Sequence, residues 1–252
     1  MTTIDVKGVR IGEGRPKTIV SLMDTNEEAL QRSAKNAAAA GADCVEWRAD
    51  YYRESPNPQA MAQVARHLRA SLLHTPLVFT FRSADQGGQG TVSTEDYRTL
   101  VQAVIQHDGA DLVDVETCVG SATVKALVNE AHAYGTPAIV SNHDFAGTPD
   151  VASMTDQLTQ MAALGADLPK LAVMAHSGAD CLRLMEASER AHEATQRPVI
   201  TMAMGAHGKL SRLAGETCGS ALTFCALGKP SAPGQVGLGE AIDLLDRLHN
   251  IL

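Results

Sequence analysis

The sequence predicts an α/β protein, a single-domain (β/α)8 TIM barrel over residues 1–252, on three observations. Eight short apolar, β-branched runs recur at about the length of one βα unit. Segments of helical period lie between them, and no Gly/Pro/Ser-rich linker divides the chain. Near-continuous apolar strands separated by helices imply a parallel sheet covered on its outer face. Eight such units in 252 residues favour closure into a barrel, with an open doubly wound sheet as the alternative.

The first 17 residues read as a short N-terminal β-hairpin, turning at Lys7 and Gly8, that caps one end of the barrel. The first four runs are TIVSLM (18–23), CVEWRAD (44–50), LVFTFRS (77–83) and DLVDVET (111–117). PAIVSNHD (137–144), LPKLAVM (168–174), VITMAM (199–204) and ALTFCAL (221–227) complete the set. Among the intervening helices, EEALQRSAKNAAAA (27–40) and TEDYRTLVQAVIQ (94–106) carry the helical period, with Thr94 expected as an N-cap. Pro149 suits the first turn of the helix that carries Met154, Leu158 and Met161.

A composition of 44% hydrophobic and 20% charged residues supports a large core. The net charge of −8 and pI near 5.5 exclude a nucleic-acid backbone as partner, which would require a concentrated basic surface. The five cysteines show no two-residue zinc or redox spacing, and most sit in or beside apolar runs, where a thiol packs as a small hydrophobe. No histidine pair has metal-ligand spacing, so no metal is expected. The N-terminus lacks a basic start followed by an apolar run, and no stretch approaches the ~18 apolar residues of a membrane span. The expectation is a cytoplasmic protein with a small-molecule partner and neither nucleic acid nor membrane.

Function is indicated by polar residues inside strands, because a buried charge is costly unless it is paired or used. In a barrel, residues two apart on a strand face the same side, and active sites lie at the strands' C-terminal ends. Glu46 and Arg48 share one face, as do Asp114 and Glu116, while Arg82 ends the third run and Ser141 and His143 end the fifth. A lysine after a proline is ordinarily solvated, but Lys170 opens the apolar run Leu171 to Met174, which directs its amine into the barrel. Desolvation favours the neutral form of an amine, which can attack a carbonyl. The fifth and sixth strands of a closed barrel are neighbours, so His143, an acid/base group, is expected to converge on Lys170. GKPSAPGQ (228–235) reads as a lid after the last strand, and Arg212 offers a fork for a carboxylate. No P-loop or GxGxxG stands in strand-turn-helix context, which argues against nucleotide binding.

Taken in this order, IVSLM (19–23), VEWRAD (45–50), FTFRSA (79–84), IVSNHDF (139–145), GADLPKLAVM (165–174), SRLAGE (211–216) and SAPGQ (231–235) resemble the type I 3-dehydroquinate dehydratases, from about Gly12 to the C-terminal helix. The resemblance implies that Lys170 forms an imine with the C3 ketone and that His143 is the general acid/base. It implies that Glu46, Arg48 and Arg82 surround the ring hydroxyls, that Arg212, Ser231 and Gln235 hold the carboxylate, and that Ser21, Phe145, Met202 and Met204 line the pocket. It further implies a homodimer that needs no metal or organic cofactor. One departure stands out: the family usually has Glu-Gly-Gly after the third strand, whereas this chain reads Gln86, Gly87, Gly88. Gln86, Asp114 and Glu116 are therefore the candidates for orienting the histidine. Ala175, where the family often has proline, is a smaller departure.

The implied reaction is loss of water from 3-dehydroquinate, a step common to aromatic biosynthesis and quinate breakdown. An iminium at C3 acidifies the C2 proton for His143, which then assists departure of the C1 hydroxyl. Two rival functions remain open: another Schiff-base barrel enzyme such as an aldolase, and a non-catalytic ligand-binding relative suggested by Gln86. Arg212 with SAPGQ looks like a carboxylate clamp and not a phosphate cradle, which weighs against the first rival.

Overall fold

A computed structural model describes residues 2–252; Met1, part of the expected 1–252 domain, lies outside the described residues. In chain order the strands are β1 (Ile4–Val6), β2 (Val9–Ile11), β3 (Lys17–Leu22), β4 (Cys44–Arg48), β5 (Leu77–Thr80), β6 (Leu112–Glu116), β7 (Ala138–Asp144), β8 (Leu168–Met174), β9 (Ile200–Met204), β10 (Leu222–Ala226) and β11 (Val236–Gly237). The helices are α1 (Glu27–Ala39), α2 (Pro58–Ser71), α3 (Thr94–Gln106), α4 (Ser121–Ala133), α5 (Val151–Ala163), α6 (Gly178–Thr195), α7 (Lys209–Leu213) and α8 (Leu238–His249).

Strands β3 to β9 pair in sequence, all parallel, and β10 pairs with β3 on one side and the short β11 on the other. The ring closes between β9 and β10 by the bridge Val199↔Ser220. Side chains supplement the ladder at this seam: Ser220 Oγ accepts from Thr201 N at 2.9 Å and donates to Thr201 O at 3.2 Å. The eight expected runs thus form the eight barrel strands. No helix among the described residues is long and apolar enough to cross a membrane.

Alternation along each strand sorts the side chains. Outward residues such as Val45, Trp47, Phe79, Val113, Val140, Leu171 and Val173 pack in the cluster that includes the apolar faces of the helices. Inward residues stack in layers contributed by alternate strands. Cys44, Leu112, Leu168 and Leu222 form the lowest layer, and Ile19, Val78, Ile139 and Ile200 the next, none more than 1% exposed. The hairpin closes this end, turning at Lys7 (φ 52) and Gly8 (φ 81) with Val6 opposite Val9, and packs Val6 and Ile11 onto the apolar layers. Two residues further along the even-numbered strands stand Glu46, Asp114, Lys170 and Phe224, where polarity begins.

Two caps differ from expectation. Ser93, with extended backbone, accepts from Asp96 N and caps α3, so Thr94 is the first helical residue. Asp150 accepts from Ser153 N and caps α5, leaving Pro149 outside the helix. In both cases the residue with the extended dihedrals and the reachable side-chain oxygen takes the cap.

The tripeptide Gly-Ala-Asp recurs before β4, β6 and β8, and each time its aspartate accepts the backbone N–H at the start of the preceding barrel strand. Asp43 receives Thr18 N at 2.7 Å, Asp111 receives Leu77 N at 2.9 Å and Asp167 receives Ala138 N at 2.8 Å. Each has basic partners as well: Arg15 for Asp43, Lys7 and Arg69 for Asp111, and His132 for Asp167. The clasp at Asp111 also ties the hairpin to the barrel through Lys7. Asp111→Ala would leave a buried N–H without an acceptor, Lys7 without its carboxylate and Arg69 with Asp108 alone. We expect a loss of about 2–4 kcal/mol of stability, read as a lowered urea midpoint, with the folded protein keeping its native circular dichroism. An unchanged midpoint would show that the clasp carries no stability.

Candidate active site

A cavity opens at the C-terminal ends of the strands, lined by Glu46, Arg48, Arg82, Gln86, Gly87, His143, Phe145, Lys170, Ala172, Met202, Met204, Arg212, Phe224, Ser231, Ala232, Pro233 and Gln235. Its floor is the layer that holds Lys170. The lysine is 2% exposed, and its Nζ donates to Asp114 Oδ2 at 2.9 Å, stands 3.9 Å from Glu46 Oε1 and lies 4.5 Å from the centroid of the Phe224 ring. Carboxylates on β4 and β6 and an aromatic face on β10 therefore enclose one amine on β8.

Hydroxyls from the intervening odd strands stand in the next layer. Thr80 Oγ1 donates to Glu46 Oε1 at 2.8 Å and Ser141 Oγ to Asp114 Oδ1 at 2.6 Å. Above them Arg82 bridges Asp114 Oδ2 at 3.0 Å and Glu116 Oε1 at 2.7 Å. Burial would raise the Asp114 pKa, but Arg82 and Lys170 outweigh it and hold the carboxyl well below the usual range. Burial likewise opposes the charge on Arg82, and Asp114 and Glu116 reverse that effect. Arg48 is fixed by Asp50 through two bonds of 2.8 Å, and Asp50 also accepts from Arg82 N and Gln89 N.

His143 stands on the neighbouring strand to Lys170, in register with Ala172. Gln86, in the turn after β5, offers Oε1 to the His143 backbone N at 2.7 Å and to Nδ1 at 3.3 Å. An oxygen that already receives a backbone N–H can only accept, so Nδ1 carries the proton and Nε2 is left as the basic nitrogen. Burial, followed by Arg82 and Lys170, lowers the imidazole pKa well below its ordinary value against the opposing pull of Asp114, with Arg48 adding to the depression. The resting imidazole is neutral.

The opposite wall is a different electrostatic case. Arg212 is buried on α7 and donates from Nη2 to Pro233 O at 3.3 Å, while its Nε and Nη1 have no hydrogen-bond partner. Burial pushes its pKa down to about 10. A buried guanidinium on a cavity wall with two donor nitrogens unpartnered is matched to an anion, and its planar fork suits a carboxylate. The loop between β10 and β11 covers it, with Gly234 (φ 81) so close that a Cβ would lie 2.4 Å from Gly205 O.

Of the residues singled out in the sequence, Lys170, His143, Glu46, Arg48, Arg82, Gln86, Phe145, Met202, Met204, Arg212, Ser231 and Gln235 line the cavity. Ser21, Asp114 and Glu116 lie behind this lining. Ser21 touches Glu46 and Ser231, and Asp114 and Glu116 engage Lys170 and Arg82, so the side-chain contact to the imidazole comes from Gln86. Sequence reasoning missed Phe224, Ala172, Gly87 and the supporting Asp50 and Thr80. Phe224 stands two residues after Leu222 on the inward face, a signal available from alternation alone.

The family model for type I 3-dehydroquinase matches residues 18–251. A 3-dehydroquinate dehydratase of Bacillus licheniformis is 44% identical over 250 residues, covering 99% of this chain and 98% of its own. One of Listeria welshimeri is 42% identical over 249 residues, covering 99% of each. The crystal structure of type I 3-dehydroquinate dehydratase from Clostridium difficile superposes with a TM-score of 0.95 at 39% identity, covering 100% of this chain and 99% of that one.

The Gln86 contact generates a titration experiment. By NMR, His143 is expected to titrate well below its ordinary value of about 6.5 in the unliganded protein. Gln86→Glu places an anion beside Nδ1, which favours imidazolium and moves the midpoint up. Coincident titration curves would show that position 86 is electrostatically silent.

Proposed function

The chain belongs to the type I 3-dehydroquinase family and eliminates water from 3-dehydroquinate, a hydro-lyase reaction through a lysine Schiff base that gives 3-dehydroshikimate; from this premise we propose that Lys170 is the amine and His143 the acid/base. The observation that carries the assignment is the enclosure of Nζ at the cavity floor between Asp114, Glu46 and the Phe224 face.

Nζ sheds one ammonium proton as it adds to the C3 carbonyl, and that proton departs with the carbinolamine hydroxyl as water, so an iminium remains. Asp114 suits this step because the iminium carries its positive charge where the ammonium carried it, so the carboxylate needs no rearrangement. The iminium draws electrons from C2, and His143 Nε2, the nitrogen left free by Gln86, takes the C2 proton. The enamine electrons then expel the C1 hydroxyl, which leaves as water with a proton from the imidazolium. Water hydrolyses the conjugated iminium and returns Lys170. General acid/base assistance of this kind contributes roughly 10²–10⁴-fold.

Arg212 receives the substrate carboxylate, supported by its two unpartnered donors, with Ser231 and Gln235 from the covering loop. Glu46, Arg48 and Arg82 present hydrogen-bonding groups to the ring hydroxyls, and Met202, Met204 and Phe145 supply apolar wall. A homodimer in the cytoplasm is the assembly and compartment we infer. The five free cysteines, four of them buried, are in keeping with a reducing compartment, and sedimentation would test the assembly.

Borohydride added with 3-dehydroquinate is expected to inactivate the enzyme and leave a reduced adduct on Lys170, located by peptide mass mapping. An adduct on a different lysine would displace the assignment. Arg212→Ala is expected to raise KM far more than it lowers kcat, by on the order of 2–5 kcal/mol of lost capture. A ketone lacking the carboxylate should lose little on the same substitution; an equal loss for both ligands would remove Arg212 from the carboxylate site.

A further inference from the structure

Ser21 lies outside the lining of the cavity, yet it sits in the middle of a hydrogen-bond chain that begins in the covering loop and ends beside the amine. Gln235 Nε2 donates to Ser231 Oγ at 2.8 Å, Ser231 Oγ donates to Ser21 Oγ at 3.2 Å, and Ser21 Oγ donates to Glu46 Oε2 at 2.6 Å. The loop end is fixed by a second bond, from Ser231 N to Gln235 Oε1 at 2.8 Å. The other oxygen of Glu46 accepts from Thr80 and stands 3.9 Å from Lys170 Nζ, beyond hydrogen-bond reach.

A hydroxyl has one hydrogen. When Ser231 donates to the Ser21 oxygen, the Ser21 hydrogen is directed at Glu46, and donation at each link strengthens the next. Glu46 is buried, so an oxygen that lost its donor from Ser21 would seek another, and the nearest charged donor is Nζ. We propose that Ser21 is a positioning residue that couples the seating of the 231–235 loop to Lys170: it anchors Glu46 away from the amine, so that Asp114 alone holds Nζ and the nitrogen faces the cavity. The loop residues that are matched to the substrate carboxylate thereby prepare the amine for the ketone. This proposal rests on the reading of Lys170 as the Schiff-base lysine.

The test is the rate of imine formation in a single turnover, quenched with borohydride and read as the mass adduct, in wild type, Ser21→Ala, Glu46→Gln and the double variant. Ser21→Ala is expected to slow imine formation about tenfold, in the range of coupling between touching side chains, with the dissociation constant for 3-dehydroquinate little changed. If the slowing comes from Glu46 moving onto Nζ, removing its charge masks it, and the double variant forms imine at the rate of Glu46→Gln. Losses that multiply in the double variant, or an effect of Ser21→Ala confined to affinity, would overturn the coupling while leaving the Lys170 adduct in place. A wild-type adduct mapped away from Lys170 would overturn the lysine assignment and the coupling with it.

Discussion

Charge balance inside a closed barrel is the constraint on which the site depends. Carboxylates and cations buried at the top of the strands can persist only by satisfying one another. Glu46, Asp50, Asp114 and Glu116 face Arg48, Arg82 and Lys170 across distances that leave little freedom, and the hydroxyls of Thr80 and Ser141 take up remaining lone pairs. Among the described residues that line the cavity, Arg212 is the cation whose fork meets no carboxylate. The protein thus holds the other buried charges of the cavity in a finished network and leaves the Arg212 fork open. In the role proposed for Arg212, substrate selection and charge neutralisation are the same event.

That network is supported from below. The two apolar layers and the hairpin beneath them exclude water from the floor, so the field of Asp114 acts on Lys170 through a low dielectric. Polarity rises toward the strand ends in register with the alternation of the strands, and the change from Leu168 to Lys170 on one face of β8 is the whole transition from core to chemistry. The same alternation separates two roles: outward residues pack against the helices, while the inward residues above the apolar layers line the cavity.

Much of this was legible in the sequence because two physical rules act locally. Period-two alternation identified the faces of Glu46, Arg48, Asp114, Lys170 and His143, and the cost of burying charge marked them as unusual. Those rules do not report distance across the barrel. Ser21 and Asp114 have the correct facing, but only the stagger of the strands reveals that one sits behind Glu46 and the other against Lys170. Alternation puts Phe224 on the inward face, but an aromatic in an apolar run does not show which group it will meet, and the amine lies above its ring. Gln86 was flagged by its departure from the family pattern, whereas its grip on both the backbone and the ring of His143 depends on a turn geometry that composition does not encode.

The Gly-Ala-Asp clasps recur once per pair of strands, at β3/β4, β5/β6 and β7/β8, and are replaced at β9/β10 by backbone bonds and Ser220. Each of the first three pairs therefore carries its aspartate-to-backbone fastening within its own stretch of chain, and only at Asp111 does the hairpin's Lys7 join it from outside. In engineering terms the barrel is three self-locking cassettes and one closing piece. Splices between relatives that fall between pairs keep every lock with its key, whereas a crossover inside a pair can deliver an aspartate to a neighbouring strand whose start is out of step with it.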